Sequence, residues 1–143
     1  MTTSLNQSLP ARDTGFQNVG VLRRSFTFSD FPGVTTRVVG ALPANAQVVG
    51  GGVVVTTAVV GGTLNVGWLD FDGTTLNAAG YASALVVTAL TGLTALDDLA
   101  AAAAGVRSVA TQVTVTSSAQ LTAGAFDVII LFVTKNPASG AAA

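Results

Sequence analysis

Between Arg37 and Asp70 the chain carries no charged side chain, and from Gly73 to Leu96 it again carries none. Stretches like these fold either as a membrane span or as the inner strands of a sheet-built core. A spanning helix needs about 20 consecutive, predominantly apolar residues. The first stretch is broken by Pro43, Asn45, Gln47 and the triplet Gly50–Gly52, and the second by Asn77, Tyr81, Ser83 and several threonines. Buried strands joined by turns are therefore expected, with no membrane association. Residues 1–18 are polar and lack the apolar segment of a signal peptide.

Val, Thr and Phe dominate the middle of the chain, and β-branched and aromatic side chains suit a pleated surface. Strands are expected over Val19–Phe28, Val34–Leu42, Gln47–Val60, Thr63–Leu69, Ala84–Leu90, Val106–Thr116 and Ala125–Thr134. Turn chemistry separates them at Phe31-Pro32-Gly33, Leu42-Pro43-Ala44-Asn45-Ala46, Gly61-Gly62, Asp72-Gly73 and Gly124. This makes about seven strands, where a jelly roll needs eight. One segment reads as a short helix, with Thr94 as cap, Asp97 and Asp98 in the first turn, Leu99–Ala104 following and Gly105 at the end. The alternative there is an Ala-rich loop or irregular strand. The expected fold is all-β and mainly antiparallel: a jelly-roll-like β-sandwich or barrel with an extended N-terminal arm and at most one short helix. At 143 residues it is one domain over 19–134, between an arm at 1–18 and a tail at 135–143.

Composition removes most chemistry. The sequence has no His, no Cys and no Glu. That excludes Ser-His-Asp and Cys-His machinery, a disulfide framework and an ordinary zinc site. Asp70-Phe71-Asp72-Gly73 resembles a piece of a calcium loop but lacks the closing Glu, so a hairpin turn is expected and no metal. Gly50–Gly52 is not followed by the Lys of a phosphate-binding loop, so no nucleotide or other cofactor is expected. No catalytic constellation emerges, which points to a structural protein and not to an enzyme acting on a small molecule. With a net charge of −1, attraction to nucleic acid is not expected.

Charged residues make up only 9% of the chain, where about 25% is usual. A surface so poor in charge suits being covered by copies of itself or by a partner. Candidate interface residues are Arg12, Arg23, Arg24, Arg37, Trp68 and Phe71. Arg23 and Arg24 point to opposite faces of one strand and are either rim contacts or simply solvated. Trp68 and Phe71 flank a turn, as core residues or as a protruding anchor. Asp127, inside the last strand, calls for an Arg partner or an interface.

The phrase Leu42-Pro43-Ala44-Asn45-Ala46-Gln47-Val48-Val49-Gly50-Gly51, followed by Val53-Val54-Val55-Thr56-Thr57-Ala58, resembles a motif of small β-sandwich proteins of tailed phages. So does the closing run from Leu121-Thr122-Ala123-Gly124 to Val133. The resemblance spans residues 19–134 and departs from the pattern at Asn45, where Gly is common, and in the Ala-rich 100–104 stretch. It implies a head decoration, or cement, protein: a homotrimer on the outer surface of the virion that bridges major capsid subunits. A tail or baseplate ring component is the alternative. A carbohydrate-binding module would need exposed aromatic platforms, and a membrane-inserting β-protein would need to bind lipid.

Overall fold

The computed structural model describes residues 19–134 apart from 72, 74–75, 91 and 102–103. The arm with Arg12, the tail, and Asp72 of the candidate calcium loop lie outside the described residues. Among the described residues eight strands follow one another: β1 Gly20–Thr27, β2 Thr36–Leu42, β3 Ala46–Val60, β4 Leu64–Asp70, β5 Leu76–Leu85, β6 Leu93–Ala95, β7 Thr111–Ser117 and β8 Ala123–Thr134. A 3-10 turn, Phe28–Asp30, follows β1.

The strands form two four-stranded sheets, ordered β1-β8-β3-β6 and β2-β7-β4-β5. All pairings are antiparallel. First pairs with last, second with seventh, third with sixth and fourth with fifth, as in one long hairpin turning between β4 and β5. Rolling that hairpin brings β8 beside β3 and β7 beside β4, which is the strand order of a jelly roll. The expected all-β, antiparallel sandwich is the fold observed.

The segment read as a helix is where the structure departs most from expectation. Thr94 caps nothing; it lies in β6 opposite Val53 of β3, a strand the sequence did not suggest. The Leu96 amide donates to the Gly51 carbonyl at 3.1 Å, and the Asp98 amide to that of Tyr81 at 3.0 Å. After that come two tight turns, the Ala101 amide to the Asp98 carbonyl and the Ala104 amide to the Ala101 carbonyl, both 3.0 Å. A helix this short is marginal even when rich in alanine, because nucleation is costly. Hydrogen bonds to β3 and β5 outweigh the local preference. The glycine triplet is what admits β6: a Cβ on Gly52 would stand 2.1 Å from the Thr94 carbonyl oxygen.

The fifth strand runs over Leu76–Leu85, not over 84–90. Its register against β4 jumps from Ala82 opposite Val66 to Asn77 opposite Trp68. The extra residues break the period-two pattern by which a strand is recognised. At the turn before β3, Asn45 sits at φ 64, in the left-handed region that glycine and asparagine tolerate.

The core lies between the sheets. Phe126, Val128 and Ile130 of β8 face Val66, Val113 and Val115 of the other sheet, all fully buried. Phe26, Phe31 and Phe126 form an aromatic cluster with centroids 5.6–5.7 Å apart. Burying each such ring contributes about 2–3 kcal/mol.

Candidate interaction surfaces

Every described candidate arginine is engaged within the chain. Arg23 on β1 forms an ion pair with Asp127 on β8 at 2.5 Å. Asp127 faces outward yet is buried, and hydrogen bonds from Ser25 and Arg23 hold its carboxyl below the usual aspartate value. The pairing anticipated for Asp127 is thus made. Arg24, on the inward face of β1, reaches across to donate to the Val38 carbonyl of β2 and lies 5.0 Å over the Phe26 ring. Arg37 donates through Nε to the Asp30 carbonyl at 2.7 Å.

Trp68 is no protruding anchor: only 3% of it is exposed. Alternation along β4 turns Leu64, Val66, Trp68 and Asp70 to one side, so the indole packs inward, 5.3 Å from the Tyr81 ring. Burial pushes the Tyr81 hydroxyl up to about 12, opposed by the nearby Arg107 charge. With both Trp68 and Tyr81 buried, neither supplies a platform for a sugar ring. Sequence reading passed over Arg107. It forms a fork onto Asp70, Nε to Oδ1 at 2.8 Å and Nη2 to Oδ2 at 2.7 Å, and lies 5.0 Å over the Trp68 ring. Its loop position, 37 residues from Asp70, gives no local signal.

Phe71 does stand out, 56% exposed at a turn closed by the Gly73 amide donating to the Asp70 carbonyl at 2.8 Å. Beside it runs a shallow groove of about 200 Å³ lined by Asp70, Phe71, Val109 and Ala110. A larger groove of about 460 Å³ lies between Asn45, Gln47, Val106, Val133 and Thr134, at the end where β1 begins and β8 finishes. Among the described residues no acidic cluster could hold a metal ion. Among them, too, no helix is long and apolar enough to cross a membrane.

Both sheets present outer faces that mix apolar and polar side chains. On the β2-β7-β4-β5 sheet the outward positions include Thr36, Val38, Asn65, Leu69, Leu76, Gln112 and Thr116, and the Thr36 and Thr116 hydroxyls bond at 2.8 Å. On the β1-β8-β3-β6 sheet the outward positions of β8, between the buried Phe126, Val128 and Ile130, are Asp127, Ile129, Leu131 and Val133. Their neighbours include Val21, Arg23, Val54 and Leu93.

No protein-family model matches the chain, and comparison with curated proteins finds no match. Solved structures do resemble it. A chain of the cyanophage Pam1 capsid asymmetric unit aligns at 23% identity with a TM-score of 0.62, over 94% of this chain and 98% of that one. A chain of the capsid of Ralstonia phage GP4 aligns at 19% identity with a TM-score of 0.60, over 82% and 85%. These likenesses establish the fold: the same sandwich recurs in chains of phage capsid structures.

Proposed function

We propose that the chain is a structural protein of a tailed-phage virion, a decoration protein that binds the outside of the head as a homotrimer and bridges major capsid subunits. The observation that carries this reading is the likeness to a capsid-structure chain over almost the whole of both chains. The neighbour is thus a small single-sandwich chain of similar extent. The charge-poor surface and the absence of His, Cys and Glu support a role in contact, not in catalysis.

The mechanism is mass action. A protein that binds the assembled shell and not its dissociated subunits stabilises the shell by about 2.7 kcal/mol per site when present at 100 times its Kd. Three linked copies raise the effective concentration at each neighbouring site, so modest single contacts suffice. Phe71, and the arm at 1–18 with Arg12, are the contacts proposed toward the shell.

The test uses heads of the encoding phage prepared without this protein. The purified chain is added to expanded heads, the heads are sedimented, and decorated particles are imaged. Co-sedimentation with density on the outer surface, three copies to a site, is expected. Its recovery as a six-membered ring in tails instead of on heads would replace this reading by the tail-component one.

A further inference from the structure

We propose that Arg107 is a positioning residue: it holds Phe71, with Val106 and Val109 beside it, as a rigid apolar tip that enters an uncharged cleft of the shell. The inference rests on the head-binding reading and names the end of the sandwich that makes the contact. Three segments distant in sequence meet at this end. The Arg107 side chain forks onto Asp70 at the end of β4. Its carbonyl accepts the Asn45 amide at 2.8 Å, and the Phe71 amide donates to the Ala110 carbonyl at 3.4 Å. Around that brace Phe71, Val106 and Val109 are 56%, 53% and 47% exposed.

Exposure by itself does not single out this tip, because Val34, at the opposite end of the sandwich, is 75% exposed. The brace does. An ion pair with a buried member adds little net stability over apolar side chains filling the same space, because desolvation offsets the attraction. What the fork provides beyond stability is geometry. A planar guanidinium fixes direction at two carboxylate oxygens at once, and this one also stacks over Trp68. A side chain held in place before binding loses less freedom on binding, so a braced aromatic is a better anchor than a mobile one. Phe71 is the aromatic so held, and aromatic side chains are enriched where proteins meet. The chemistry of the partner follows from the charges. Among the described residues of the tip the only charges are those of the fork, and they cancel each other, so a charged partner surface finds no counterpart there. The groove of about 200 Å³ beside Phe71, walled by Val109 and Ala110, has room for one apolar side chain of the shell while Phe71 fills its cleft.

The test measures the affinity of the full chain for expanded heads lacking this protein, by co-sedimentation, with far-ultraviolet circular dichroism as the folding check. Phe71→Ser should weaken binding by about tenfold or more. Arg107→Met should weaken it by about threefold to tenfold, and Arg107→Lys, which keeps the charge but loses the fork, serves where the methionine variant does not stay folded. In the Phe71→Ser background the Arg107 change should add less than about twofold, because the side chain it holds is gone. Val34→Ser should bind like the wild type. On the free chain, the backbone order parameter of Phe71 should fall from about 0.85 to below about 0.6 in the Arg107 variants. An unchanged order parameter overturns the positioning role without reference to heads. Phe71→Ser at wild-type affinity, or an Arg107 change that costs as much without Phe71 as with it, overturns the inference and leaves head binding standing. A wild type that does not sediment with heads overturns both.

Discussion

Replacing Arg107 by methionine tests the strongest polar clip in the sandwich. The side chains of Arg107 and Asp70 are 26% and 8% exposed, so the desolvation falls mainly on the carboxylate. Breaking a buried pair from one side costs about 3–5 kcal/mol, and the partial exposure of Arg107 places this case near 3. The guanidinium also stacks on Trp68, an interaction of about 0.5–1 kcal/mol that a methionine sulfur partly restores. Asp70→Asn leaves a guanidinium that can turn to water, so about 1–2 kcal/mol is expected. The double variant strands no charge and should cost about 2 kcal/mol, which leaves a coupling near 2 where independent sites would give under about 0.5. Urea unfolding followed by Trp68 emission, at one fixed protein concentration, measures all three. With a slope of about 1–3 kcal/mol/M, Arg107→Met should lower the midpoint by at least about 1 M. A coupling below about 0.5 kcal/mol would refute the argument, because the fork would then be no more than two independently solvated groups.

Three further outcomes follow from packing and burial. Tyr81 keeps its proton in the fold up to about 12, against 10.0 in the unfolded chain. Its stabilising contribution is complete below pH 10 and is lost as pH rises toward 12. A two-unit gap amounts to about 2–3 kcal/mol, and Tyr81→Phe should flatten the alkaline limb of the unfolding profile. A Cβ on Gly80 would stand 2.0 Å from the Trp68 ring, which Tyr81 and Arg107 confine. Gly80→Ala should therefore cost about 1–3 kcal/mol and shift Trp68 emission, whereas an unchanged midpoint would mean the ring is free to move. The Thr114 hydroxyl is buried without a partner among the described residues. Thr114→Val should be neutral or stabilising by up to about 1 kcal/mol in thermal unfolding, and a clear loss of stability would show that the hydroxyl is satisfied.

What the sequence determined was whatever lies within a few residues. The apolar run from Ala125 to Thr134 marked a strand, which β8 is, lying between β1 and β3, and Pro43 with Asn45 marked a turn that the backbone does make, Asn45 left-handed. The lack of His, Cys and Glu excluded familiar catalytic and zinc-binding chemistry before any coordinates were considered. What only the tertiary structure decided was long-range pairing. Thr94 became a strand because β3 offered it a glycine-lined edge, although its own neighbours favoured a helix. Trp68 left the list of surface anchors because Tyr81 and Arg107, distant in sequence, enclose it. Side-chain period reports which residues share a face; only the sheet order reports what that face meets.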